Sequence, residues 1–363
     1  MTALVVGEPS RPGVRMFLQD TERRGHRMRR SPVWAWTRLA VGAGILVALV
    51  WWLGVSPFID ALHSIDAWSL AAAAGIAVPT TVCCAWRWRL VSRGLGSELP
   101  MGEAVGAYYR SQFLNTVLPG GVLGDVHRAV RRGRDVGDVG HGVRAVVWER
   151  TAGQAVQIAL TVVVLMVFPS PVRSYMPAVV GSVAAVTLVA VLLARAPPRY
   201  APTALLRLSR ALVTDVRSGL LARGAWPGVA LTSAVVVAGH TATFLVAART
   251  AGSTASVVQM LPLALLVLLA MGIPANIAGW GPREGAAAWV FAVAGLGAAQ
   301  GVATAVVYGV MVLVATLPGA VVLVAAWLRP ERRRTEPVTS DGGRPESRPV
   351  SPATVALEGV ARG

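Results

Sequence analysis

Lysine is absent from this chain. All 34 basic residues among its 363 are arginine, against 18 acidic ones, for a formal charge of +16. Charge of either sign is scarce: Asp, Glu and Arg make up 14% of the chain, against about 25% in a soluble globular domain. With 54% hydrophobic residues, that deficit excludes a disordered chain and argues against an ordinary soluble enzyme. The missing lysine excludes a Walker-type GxxxxGK[ST] phosphate loop, so no nucleotide-driven energy coupling is visible. The two cysteines are neighbours, Cys83 and Cys84, within an apolar run. Adjacent cysteines rarely bridge, and no metal spacing surrounds them. Asp125, His127, Asp135, Asp138 and His141 likewise lack metal-ligand spacing, so neither metal nor cofactor is expected.

What the chain does have is arginine in blocks. Thirty of the 34 fall within 11–38, 87–144, 195–223 and 329–362, and long apolar stretches separate them. That is the pattern of a polytopic membrane protein with basic loops on one side. A nucleic-acid protein would spread arginine over a folded polar surface with aromatics between, so no nucleic-acid partner is expected. Apolar spans are read at 39–55, 67–86, 143–168, 177–194, 226–248 and 302–328. The connections 55–66 and 169–176 are poor in Arg and read as outside, whereas 195–225 carries six Arg and reads as inside. Both termini then lie in the cytoplasm, across the cell's inner (plasma) membrane. Residues 1–36 form a basic arm and 329–363 a polar tail, both expected to be disordered, around a transmembrane domain at 37–328. Tryptophans near span ends, among them Trp51, Trp68, Trp86, Trp88 and Trp327, suit an aromatic belt.

Two segments break the pattern. Residues 103–126 are half apolar and interrupted by Pro119-Gly120-Gly121; 257–300 holds two apolar halves around GIPANIAGWGPREG. Each is expected to be a re-entrant hairpin, since broken backbone at membrane depth survives only where protein buries it or water reaches it. Short full crossings are the alternative, with eight spans in place of about six plus two hairpins. The two segments share Pro, Gly, Asp/Glu and Arg in similar order and enter from opposite faces, as in an inverted repeat.

Charges within apolar spans are costly and mark candidate function. Between 226 and 328 the charged residues are Arg249, Arg283 and Glu284. Arg283 and Glu284 follow Gly281-Pro282 at a helix start, where backbone N–H groups and an arginine make an anion site; the pair could equally cap its own helix. Gly120, Gly121 and Gly124 ahead of Asp125 could bring backbone N–H groups to a phosphate, with Arg128 and Arg150 as nearby cations. Asp125, Arg128, Glu149 and Arg150 are read as one network, and Arg110 and Asn115 as further contacts in the first hairpin. His240 is read as hydrogen-bonded within the structure.

FLNTVLPGGVLGDVHRAV, then VVWERTAG, then IPANIAGWGPREGAAAWVFAVAGLG and a span ending LPG resemble the lysylphosphatidylglycerol synthase transmembrane-region family over roughly 37–328. The resemblance implies movement of a lipid between leaflets: an anionic or aminoacylated phospholipid, or a polyprenyl phosphate. Asn115, Pro119, Gly120, Gly121, Gly124, Asp125, Arg128, Glu149, Arg150, Pro274, Gly279, Gly281, Arg283, Glu284 and Gly285 match its pattern. Leu123, where glycine is common, and Pro282, where a small apolar residue is common, depart from it without removing a charge. The tail is too short for the soluble synthetase domain of full-length relatives, so the chain is not expected to aminoacylate. The sequence thus points to a non-enzymatic lipid translocase. A membrane enzyme acting on a lipid phosphate, or a non-transporting partner of a glycosyltransferase or synthetase, stays open beside it.

Overall fold

The computed structural model describes residues 32–170, 172–175, 181, 225–272 and 280–328. The long elements among them are helices: α1 (Pro32–Leu53), α2 (Ser56–His63), α3 (Ala67–Gly94), α4 (Met101–Val117), α5 (Leu123–Asp135), α6 (Val139–Val167), α7 (Trp226–Thr250), α8 (Val257–Ala270), α9 (Pro282–Val293) and α10 (Ala298–Leu328). The terminal arm before residue 32, the predicted span 177–194 apart from residue 181, the basic loop 195–224, Pro274, Gly279 and the tail lie outside the described residues.

Among the described residues four helices, α3, α6, α7 and α10, are long and apolar enough to cross a membrane at 25 to 31 residues. At 1.5 Å per residue they rise roughly 38–47 Å, beyond the ~30 Å of a hydrocarbon core. α1 with α2 qualifies as a fifth span only as a pair bent by 95°. The bend replaces the plain loop expected at 55–66. Gly54 takes φ +78°, a left-handed conformation open to glycine at little cost, and its N–H closes α1 on the Val50 carbonyl at 2.9 Å. Ser56 and Pro57 then open α2. Asp66 caps α3 by accepting from the Ser69 N–H at 2.7 Å, and Asp138 caps α6 through His141 N–H at 3.1 Å. Ser256 and Gln259 form a capping box on α8.

The two broken segments fold as helix pairs. α4 and α5 have 17 and 13 residues, α8 and α9 14 and 12, rising roughly 26, 20, 21 and 18 Å. The first pair overruns 103–126 at both ends, because the arginine-rich stretch to Asp135 continues α5 as a helix. Between α4 and α5, Gly120 and Gly121 take φ +90° and +62°.

Small residues set the packing, as they do where lipid removes the hydrophobic drive between helices. A Cβ on Gly239 of α7 would collide with Thr80 of α3; on Gly301 of α10 with the Ala287 carbonyl of α9; on Gly319 of α10 with the Tyr109 carbonyl of α4. Phe244, Leu263, Val267, Phe291, Val302 and Met311 form the main apolar core. Trp51, Trp68 and Trp327 are more than 80% exposed near span ends. Trp88 leaves the predicted belt: it is buried, beneath an arginine of the site described next.

Candidate functional site

The site is built around two buried carboxylates. Glu149 lies about three turns into α6, deeper than the sequence implied because α6 begins at Val139. It has no exposed surface, and its Oε1 accepts from Arg87 Nε at 2.8 Å, Arg87 Nη2 at 2.5 Å and the Tyr108 hydroxyl at 2.9 Å. Its Oε2 accepts from Arg128 Nη2 at 3.0 Å. The same Nη2 donates to Asp125 Oδ1 at 2.9 Å. Asp125 also accepts from Ser111 Oγ and Asn115 Nδ2, each at 3.0 Å, and from Arg150 Nη2 at 2.5 Å. Buried charges persist only when paired and hydrogen-bonded, and this chain of groups satisfies both carboxylates from four helices.

Three arginines meet two carboxylates here, leaving one positive charge in surplus. The cations differ in access. Arg128 is sealed, with its Cζ 4.5 Å from the Trp88 ring centroid and 4.2 Å from that of Tyr108. Arg87 is buried against Gly153, where any Cβ would press on the guanidinium, and also donates to Ser233 Oγ at 3.1 Å. Arg150 keeps 48% of its side chain accessible.

A second centre sits at the start of α9. Arg283 Nε and Nη2 donate to Glu284 Oε1 at 2.8 and 2.5 Å, and Glu284 Oε2 accepts from the Gly281 N–H at 2.7 Å. The guanidinium lies 4.9 Å from the Trp280 ring centroid and against Gly309 of α10, where a Cβ would overlap it. Gly281 itself has φ +118° and touches the Gly42 backbone.

Both centres face one cavity of about 550 Å³. The turn of the first helix pair (Val117, Gly121) and the break of the second (Met271, Gly272, Trp280) both line it, with Arg87, Arg150 and Arg283. Gln112, Gln154, Gln157, His240 and Thr243 add polar groups. His240 Nδ1 is 3.0 Å from the Tyr308 hydroxyl.

The structure thus brings Asn115, Gly121, Asp125, Arg128, Glu149 and Arg150 together, with Arg283 across the cavity. It separates others. Arg110 is buried on another face of α4 and lines a different pocket. Gly120 does not line the 550 Å³ cavity. Two of the N–H groups near those offered to a phosphate in the sequence reading are taken: Gly124 N–H donates to Asn115 Oδ1 at 2.8 Å, and Gly281 N–H to Glu284. Gly124 is needed for contact, since a Cβ there would collide with the Ser111 carbonyl. Arg87, Tyr108 and Tyr308 escaped the sequence reading. Arg87 looked like the charged end of a span, yet it shares a face with buried Cys84, Trp88 and Val91 while Arg89 and Arg93 point outward. That spacing of three, four and seven is the signal that marks it. Among the described residues no group of three or more His, Cys, Asp or Glu side chains is placed to hold a metal ion.

Neither a curated protein nor a solved structure matches the chain. The model of one family, described as lysylphosphatidylglycerol synthase TM region, matches residues 36–335. A multi-pass helical membrane domain with its polar centre at two broken helix pairs is thereby placed: the chain belongs to the lysylphosphatidylglycerol synthase transmembrane-region family.

Proposed function

We propose that this protein moves a phospholipid, or a polyprenyl-phosphate-type lipid, between leaflets, holding the headgroup in the 550 Å³ cavity. The observation that carries the reading is Arg150: an arginine with a half-accessible side chain that lines the cavity, in a network with one surplus positive charge. A phosphodiester carries the matching negative charge. On entering, it takes the Arg150 guanidinium from Asp125, and Asp125 keeps Ser111, Asn115 and Arg128 as donors. For an aminoacylated headgroup, the released Oδ2 of Asp125 accepts the ammonium. Arg283 contributes field from the far wall, and Arg128 and Arg87 hold the carboxylates in place.

The short helix pairs are read as re-entrant, since rises of roughly 18–26 Å fall short of a ~30 Å core. On that reading they enter from opposite faces as an inverted repeat, and both termini lie on the cytoplasmic side of the inner membrane. We read the chain as non-enzymatic, because Asp125 and Glu149 each accept from at least three donors and neither is a free base.

Reconstitution in liposomes with a panel of labelled lipids tests this. Leaflet exchange is expected for a lipid bearing a phosphate. Arg150→Ala should abolish it and Arg150→Lys retain part of it. Exchange indifferent to both Arg150→Ala and Arg283→Ala would overturn the site. Chemical conversion of a lipid would instead indicate an enzyme, and stable co-purification with a membrane enzyme without exchange would indicate a non-transporting partner.

A further inference from the structure

A second pocket of about 410 Å³ lies between α4, α5 and the last turns of α10, where Val322 and Ala325 close it. Its charged lining is Glu103, Arg110, Arg128, Arg131, Arg132 and Asp135. Arg128 already answers Asp125 and Glu149, so Arg110, Arg131 and Arg132 against Glu103 and Asp135 leave one positive charge in surplus there. Arg132 is committed: it donates to Ser97 Oγ at 2.7 Å and to the Glu98 carbonyl, with Glu103 at 3.9 Å.

Arg110 is not committed. It is 6% exposed, makes no hydrogen bond or ion pair to the described residues, and its Nε is buried without a partner. Arg128 has the same deficit: Nη2 serves Asp125 and Glu149, whereas Nε and Nη1 are buried without partners. Unpaired buried guanidinium donors are costly. Two of them lining one pocket with surplus positive charge describe a receptor for a compact anion with several acceptor oxygens. Arginine's planar fork suits phosphate.

We propose that this pocket is a phosphate site, taking the phosphate group of either an anionic lipid headgroup or inorganic phosphate between Arg110 and Arg128, with Arg131 at its rim. The surplus charge matches a phosphate monoanion. The site goes beyond the lipid path at Arg150 and is joined to it through Arg128, which lines this pocket and pairs with Asp125, the partner of Arg150. An anion on Nε and Nη1 holds Arg128 while Nη2 holds Asp125, the partner of Arg150.

The test is a binding measurement, so absence of leaflet exchange leaves it standing. Full-length Arg150→Gln, which removes the most accessible of the three arginines lining the main cavity, is placed in phosphatidylcholine nanodiscs and titrated calorimetrically with inorganic phosphate. The same protein in nanodiscs containing phosphatidic acid is assayed for retained phosphatidic acid. Binding of either probe is expected. Adding Arg110→Gln should weaken it about tenfold, the scale of one lost charge-assisted hydrogen bond. Arg131→Gln, at an exposed position, should weaken it less and keeps the test valid if the Arg110 variant fails to fold. Retention of phosphatidic acid with no phosphate binding identifies a headgroup as the source; phosphate binding unaffected by phosphatidic acid identifies solution phosphate. Binding of neither probe, or binding unchanged in both arginine variants, overturns the proposal.

Discussion

Glu149 shows what a single carboxylate demands when it has no exposed surface. Arg87, Tyr108 and Arg128 all donate to it. Removing one cation leaves a charge short of partners, which costs about 3–5 kcal/mol for a buried pair. Arg87→Met should therefore lower stability in detergent by that order, read by chemical or thermal unfolding. Glu149→Gln on top should recover part of the loss, and the double-mutant cycle measures the coupling. Additivity of the two would show that Arg87 does not act through Glu149. The residue scale is also where sequence reading fell short. The pairing of Asp125 with Arg128 was legible from a spacing of three on one helix. Arg87 was not, because it is 62 positions from Glu149 and only the packing of α3 against α6 joins them.

The helix pairs were legible because proline and glycine must interrupt them. What each glycine does was not, since a turn and a close contact call for the same residue. Gly120 and Gly124 separate the two roles. Gly120 has φ +90° with nothing near its Cβ position, whereas Gly124 lies directly against the Ser111 carbonyl. Gly120→Ala should cost about 1–2 kcal/mol in backbone strain. Gly124→Ala forces α4 from α5, about 1–3 kcal/mol or more, and also moves the N–H that Asn115 accepts from. Melting temperature together with leaflet exchange separates them: Gly120→Ala keeps exchange and Gly124→Ala loses it. Equal exchange in the two would show that the α4–α5 contact does not position Asp125.

Across the whole molecule, the breaks of two distant segments line one cavity. In a chain with Cys83 and Cys84 replaced by serine, Val117→Cys and Met271→Cys should react with an impermeant thiol reagent at matching rates. A phosphate-bearing lipid should protect both together; protection of one alone would show separate compartments. The charge facing that cavity comes from Arg87, Arg150 and Arg283. Arginine keeps its proton at any biological pH, so the site's cations cannot act as a relay. Among the described lining residues, His240 is the side chain whose ordinary range lies near neutrality, and Tyr308 already engages it. The proposed exchange should accordingly stay level from pH 7 to 9 and survive a protonophore; loss of exchange on adding the protonophore would show that it draws on the proton gradient.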